Sequence, residues 1–242
     1  MAADSPTILA TSGGLRGGVR TRYEFSPLTE KAVDLAGVTG RAPRICFLAT
    51  AQGDNPVVLH DLYAAAQVRG FTASHVSLVP MPNVDDVEGH LLQQDVVWVY
   101  GGSVAALLAL WRLHGVDRAM RAAWLAGVVL TGVSAGSICW HTGGTTDSFG
   151  PQLRPVTDGL ALVPFANGVH YDSEPQRRPL FQRLVADGIL DAGYATDDGA
   201  GVWYRGTEYA GSFAENDSAA TYFVTRKSSD GVHETRLDVE RL

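Results

Sequence analysis

Five short apolar runs, separated by helix-like or polar stretches, do most to limit how this chain can fold. They are Thr7–Thr11, Arg44–Ala49, Ser74–Val79, Asp95–Tyr100 and Val128–Val133. Near-continuous hydrophobicity suits strands covered on both faces, as in a parallel sheet with helices packed on each side. Helical stretches fall between them at about Val57–Arg69, Val104–Leu113 and Asp117–Leu125, and the first two place Leu and Ala on one helical face. This alternation predicts an α/β fold with a doubly wound, mostly parallel sheet and helices on both faces.

The last third changes character. Gln176–Ala186 has a helical pattern, with Pro179 in its first turn or at a kink. The short runs Gly201–Tyr204, Glu208–Ser212, Ala220–Thr225 and His233–Leu237 predict C-terminal β-hairpins, with Ser228–Gly231 as a turn signal. With no repeat, low-complexity segment or linker, residues 1–242 are expected to form one domain.

Composition removes several function classes. At 45% apolar and 19% charged residues the chain has the make-up of a soluble globular protein. A net charge of −7 argues against a non-specific nucleic-acid binder. Cys46 and Cys139 lie far apart in apolar settings, and no Cys/His spacing suggests zinc. A reducing, cytoplasmic compartment is expected. The start MAADSPTILATSGG has no basic region followed by a long apolar core, and nowhere do 18 apolar residues run together, so neither secretion nor a membrane span is expected.

The chemistry concentrates at Gly132-Val133-Ser134-Ala135-Gly136. This segment follows an apolar strand and precedes residues able to start a helix, the setting of a nucleophile elbow. The sharp turn demands small neighbours, which Gly132 and Gly136 supply, and it pushes the Ser134 hydroxyl above the sheet edge. The Ala135 N–H, at a helix start, could then stabilise an oxyanion. The plainer alternative is a glycine-rich turn in which Ser134 caps the helix.

A nucleophilic serine needs a base, and His170 is the best placed, at the end of a strand-like run beside turn residues. His60 and His75 fall within a helix and a strand; His90, His114 and His233 sit in polar or turn settings. His141 would point down the helix away from Ser134. Three acids could orient the imidazole: Asp147, in a polar loop where it could equally cap its own backbone, and Asp172 or Glu174, just after the histidine. Tyr100-Gly101-Gly102-Ser103 ends the fourth strand, and the Gly102 N–H could be a second oxyanion donor. Neither this loop nor Ser12–Gly18 fits a phosphate-loop pattern, and turn punctuation accounts for both.

Taken in order, the strand ending in GGS, the elbow GVSAGS, the TTDS loop and the segment NGVHYDSE resemble the peptidase E family of serine peptidases, the aspartyl dipeptidase group to which cyanophycinases are related. The likeness runs from about Ile8 to Tyr204. It implies a fold like that of class I glutamine amidotransferases, with serine at the elbow position. It also implies Ser134 as nucleophile, His170 as general base, Asp147 as the usual acid with Glu174 as its rival, and Gly102 and Ala135 as the oxyanion hole. Members selective for N-terminal aspartate carry Gly-Gly-Asn at the upstream loop and an arginine after the histidine. Ser103 and Arg177 stand near those places and become candidate substrate-binding residues, while the acids nearest His170 leave the preferred N-terminal residue open.

The expected activity is hydrolysis of short peptides through an acyl-enzyme, in the manner of a dipeptidase or aminopeptidase, with no cofactor and no metal. The alternatives are a cyanophycinase-like or esterase hydrolase, or a non-catalytic small-molecule binding domain with a vestigial elbow. His170 follows Ser134 by only 36 positions, too few for the α/β-hydrolase esterase order. Edge strands in the C-terminal third would allow a homodimer.

Overall fold

Local chemistry cuts the chain into elements at recognisable residues. In the computed structural model, which describes residues 3–228 and 231–242, the helix Pro56–Arg69 begins where the Asn55 side chain accepts the Val57 N–H, and it ends at Gly70 with φ 69°. The helix Val104–His114 is opened by the Ser103 hydroxyl, which accepts the Ala106 N–H, and closed by Gly115 at φ 73°. A side-chain oxygen satisfies an orphan amide at each start, and glycine adopts the left-handed conformation at each stop.

Eight strands form the main sheet. Their order is Glu240–Arg241, Glu208–Ala214, Ala200–Arg205, Thr7–Thr11, Val129–Val133, Val96–Val99, Arg44–Leu48 and Thr72–His75. The last five of these are mutually parallel, while Ala200–Arg205 runs antiparallel to Thr7–Thr11. Every residue of Thr7–Thr11 and of Val96–Val99 is buried. Successive side chains serve opposite faces. Ile8, Ala10, Val97 and Val99 pack with Leu107, Trp111 and Met120 on one side, and Leu9, Val96 and Trp98 pack with Leu28 and Leu62 on the other. The expected doubly wound arrangement, with helices on both faces, is present.

A second sheet, of six strands, has the order Val232–Leu237, Thr221–Arg226, Gly193–Thr196, Ala166–Gly168, Gly143–Thr146 and Arg154–Val156. Its three middle members, Gly193–Thr196, Ala166–Gly168 and Gly143–Thr146, are parallel. Hydrophobic patterning announces only the run before His170; Gly193–Thr196 and Gly143–Thr146 are too short and too rich in small residues. A Cβ on Gly193 would lie 2.2 Å from the Ala166 oxygen, so close backbone approach replaces side-chain packing there. The C-terminal hairpins pair as expected, and the helix Arg177–Ala186 takes Pro179 in its first turn. Of the Ser228–Gly231 turn, Ser229 and Asp230 lie outside the described residues.

One expected strand is shorter and earlier in the chain. Thr72–His75 pairs with Arg44–Leu48, but the run to Val79 leaves the sheet because Asp54 Oδ2 accepts the Leu78 and Val79 amides at 2.5 and 3.0 Å. Among the described residues no helix is long and apolar enough to cross a membrane.

Candidate active site

Three neighbouring strands of the main sheet end at one place. Thr7–Thr11 leads into Ser12, Val129–Val133 into Ser134, and Val96–Val99 into Gly101 and Gly102. In open α/β sheets the carboxyl ends of parallel strands are where ligands are received.

Ser134 has φ 56° and ψ −112°, a conformation that non-glycine residues rarely adopt. The geometry around it explains why the chain cannot relax. A Cβ on Gly132 would meet the Gly136 oxygen at 2.5 Å and the Val99 oxygen at 2.6 Å, and one on Gly136 would meet the Val99 oxygen at 2.2 Å. The bend is therefore pressed between its own helix and the adjacent strand, and it strains the serine backbone that it presents. The four-residue helix Ala135–Ile138 follows at once, with the Ser137 and Ile138 amides closing onto the Ser134 oxygen at 2.8 and 2.9 Å. The Ser134 side chain does not cap that helix.

Gly101 packs against the nucleophile candidate, since a Cβ there would lie 3.3 Å from Ser134 Cβ. Gly102, at φ 134°, leaves no room for a side chain, which would stand 2.4 Å from the Ala51 oxygen. The loop is thus obliged to be glycine at 102, one residue beyond its contact with the serine. Neither the Gly102 nor the Ala135 N–H has an acceptor among the described residues.

The base candidate comes from the second sheet, and one serine joins the two sheets. The Ser134 N–H donates to the Thr11 oxygen at 3.2 Å, and the His170 N–H donates to Ser12 Oγ at 3.0 Å. Consecutive residues of one strand end therefore hold the two backbones. Ser12 is 3% exposed and its hydroxyl also pairs with Thr196 Oγ1 at 2.7 Å. His170 itself sits at φ 52°.

The partner of the imidazole is Asp198. Its Oδ1 lies 2.5 Å from His170 Nδ1. The hydrogen bond from His170 holds the Asp198 carboxyl below the usual carboxylate range, with Ser173 and the Arg177 charge adding to the effect. A carboxylate can only accept, so Nδ1 carries the hydrogen, and in the neutral imidazole the lone pair is then on Nε2. Asp198 is held in turn through its N–H, which donates to Asp172 Oδ1 at 2.9 Å. No hydrogen bond joins Ser134 Oγ to the ring, and both functional atoms are unpartnered among the described residues. Such contacts are often long before substrate arrives.

The acids singled out from the sequence occupy other positions. Asp147 follows the strand Gly143–Thr146, which flanks Ala166–Gly168 on the side opposite Gly193–Thr196. Its side chain is exposed and makes no hydrogen bond to His170; its backbone oxygen closes a turn with the Gly150 N–H. Glu174 pairs instead with Arg177, Oε2 to Nε at 2.7 Å. Arg177 is 3% exposed and also donates to the Thr145 oxygen at 2.6 Å, so it is a buried tie rather than a free cation. The Ser103 hydroxyl is occupied in capping its helix.

Sequence reasoning passed over Asp198 and Ser12. The only signal for Asp198 was a Thr-Asp-Asp-Gly turn, and it becomes informative once Gly193–Thr196 is known to be parallel to, and beside, the strand that leads to His170. The adjacent Asp197 behaves oppositely. It is buried beside Asp172, and burial followed by that charge pushes its carboxyl up to about 6. His141 is also buried, between the Ser137 oxygen and Tyr204, and burial lowers it to about 4. It belongs to the core and not to the site.

Known proteins place this geometry in a family. Peptidase family S51 matches residues 8–210. An uncharacterised peptidase, YgaJ, from Bacillus subtilis (strain 168) is 38% identical over 182 residues, which cover 75% of this chain and 78% of the relative. Among solved structures, a peptidase from an acI-B1 Actinobacterium superposes with a TM-score of 0.69 at 13% identity, covering 99% of this chain and 96% of that one. A protein from Listeria monocytogenes EGD-e, provisionally called peptidase E, gives 0.62 at 17% identity over 88% of this chain and 100% of that one. At those identities the structures establish the fold alone, α/β with a mostly parallel central sheet. The chain belongs to peptidase family S51, the serine-type peptidase E family.

Proposed function

We propose that this chain hydrolyses short peptides through an acyl-enzyme on Ser134, with His170 as general base and Asp198 as the acid that orients it. The observation that carries the reading is the strained backbone at Ser134, locked by Gly132 and Gly136 at a strand end whose neighbouring residue, Ser12, holds the His170–Asp198 pair. Asp198 takes the role expected of Asp147 because it is the carboxylate bonded to the imidazole, whereas Glu174 is committed to Arg177.

In the first step His170 Nε2 takes the Ser134 hydroxyl proton as Oγ attacks the peptide carbonyl carbon. The oxygen of the tetrahedral adduct receives hydrogen bonds from the Gly102 and Ala135 amides, each worth about 3 kcal/mol in the transition state. The adduct collapses, the C–N bond breaks, and the leaving amine takes the proton from His170. Water then repeats the sequence on the ester, returning the proton to Ser134 Oγ and releasing the acid. Asp198 stays ionised throughout and stabilises the imidazolium.

A fluorophosphonate probe, which displaces fluoride as the serine oxygen bonds to phosphorus, should label the wild type and spare Ser134→Ala. Parallel assays on a dipeptide panel and on short p-nitrophenyl esters should show peptide cleavage that Ser134→Ala abolishes. Folded wild type that resists labelling would defeat the nucleophile assignment, and action on esters alone would favour an esterase.

A further inference from the structure

Beside Ser134 lies a cavity of about 260 Å3 lined by Gly13, Leu15, Tyr23, Tyr100, Gly101 and Val133. It adjoins the nucleophile directly, since Val133 precedes Ser134 and Gly101 packs against Ser134 Cβ. We propose that this cavity is the acyl-side specificity pocket and that it selects an aromatic or branched aliphatic side chain, not an acidic one. The proposal rests on Ser134 being the nucleophile.

Three observations support it. The lining is two phenol rings, two aliphatic side chains and two glycines, with no charged group among them. An apolar side chain gains by leaving water there, whereas an ionised carboxylate would give up hydration with no cation in the lining to replace it. Two cations near the site are engaged elsewhere, Arg177 against Glu174 and the Thr145 oxygen and Arg178 with Glu234; Arg22 lies over the Tyr23 ring, 5.1 Å from its centre, outside the lining and paired with Asp61 at 3.4 Å. A larger hollow, of about 430 Å3, is lined by His60, Tyr63, Ala64, Gln67, Phe71 and Ala73 and includes no residue of the site.

The side of the scissile bond follows from proton traffic. The leaving amine must receive its proton from His170, so it lies toward the second sheet. The cavity takes no residue from that side; its walls come from the loops after Thr7–Thr11 and Val96–Val99 and from the small hairpin formed by Leu15–Gly17 and Tyr23–Phe25. What remains beside it is the residue whose carbonyl is attacked. This gives the glycine-rich Ser12–Gly18 stretch a purpose beyond turning the chain: it leads Leu15 into the wall, and the hairpin returns Tyr23 to the same wall.

The test uses aminoalkylphosphonate diphenyl esters, which bond to a nucleophilic serine as phenoxide leaves and need no turnover. Benzyl, methyl and carboxymethyl side chains stand for Phe, Ala and Asp, and adduct formation is followed by intact mass. The wild type should react with the benzyl compound at least 10-fold faster than with the methyl one, and 100-fold faster than with the carboxymethyl one. Leu15→Trp, which fills the cavity, should bring benzyl and methyl rates together; Tyr23→Ala, on the other strand of the same hairpin, should erode the preference by removing a ring. Fluorophosphonate labelling of each variant reports whether its nucleophile is intact. Normal fluorophosphonate labelling with equal rates for the three side chains, or with the carboxymethyl compound fastest, overturns the pocket and leaves the nucleophile standing. Absence of all labelling in folded wild type overturns both.

Discussion

The two halves of the candidate site are built by different means. The elbow, Gly132 to Ile138, is fixed by backbone: two glycines, a sharp bend and a helix that starts immediately. The base and its acid are fixed by side chains: Ser12, 158 residues away in sequence, and Asp198 bond to His170, and Asp172 holds Asp198. A backbone-built device leaves a compact motif; a side-chain-built one leaves almost none. The first should therefore fail structurally when altered, the second chemically.

The largest expected effect separates the acids. Asp198→Asn should lower kcat by about 10⁴ while the fold persists, because the imidazole loses its tautomer and orientation. Asp147→Asn and Glu174→Gln, measured in the same steady-state assay, should stay within roughly 10-fold of wild type, since neither carboxylate touches the ring. A loss at Asp147 matching that at Asp198 would mean that the histidine changes partner during turnover.

Altering the elbow should give the reverse pattern. Gly136→Ala places a Cβ 2.2 Å from the Val99 oxygen, a backbone atom in a buried strand that cannot step aside. Overpacking of this kind costs about 3 kcal/mol or more. The denaturant midpoint should fall accordingly, and activity should disappear with the fold, not ahead of it.

How much of this was legible in the sequence follows the same division. The parallel core strands announced themselves because burial on both faces requires unbroken runs such as Val96–Val99. The elbow was legible because its geometry forces glycine at 132 and 136. The strand-like run before His170 was legible, but its neighbours Gly143–Thr146 and Gly193–Thr196 were not, because close backbone approach selects small residues that look like loop. Without those strands there was no way to see that Asp198 ends a neighbour of the strand leading to His170. Asp147, the acid that the resemblance implied, ends the neighbour on the other side. Arg177 shows the same limit: its sequence position suggested substrate contact, and only burial reveals a structural tie.

A pH titration sharpens the contrast within the acid half. Asp197 and Asp198 are adjacent, yet burial raises one to about 6 and the histidine lowers the other. Because its folded value exceeds the unfolded one, Asp197 makes the folded state bind more protons between about pH 4 and pH 6, so its contribution to stability falls as pH rises through that window. At 1.36 kcal/mol per unit the full span is about 3 kcal/mol. His141, lowered to about 4, acts with the opposite sign between about pH 4 and pH 6.5. Asp197→Asn removes the term that falls with pH and leaves the others. Its chemical-denaturation stability should therefore rise with pH across that range relative to wild type, and parallel profiles would show that Asp197 stays ionised in the fold.

The smallest expected effect asks whether the elbow stores strain. At φ 56° and ψ −112° Ser134 occupies a region that costs a side-chain-bearing residue about 1–3 kcal/mol. Glycine enters it freely, but gives back about 0.5–1 kcal/mol through the greater freedom of its unfolded chain. Ser134→Gly should therefore be more stable than Ser134→Ala by about 1 kcal/mol, though both lack the nucleophile. Alanine is the proper reference, because it removes the hydroxyl and keeps the Cβ that creates the conflict. Equal denaturant midpoints for the two variants would mean that the bend relaxes in solution and that the hydroxyl is not held out by backbone tension. A higher midpoint for glycine would instead show the fold giving up stability to present an oxygen, a cost incurred by the backbone half of the site alone.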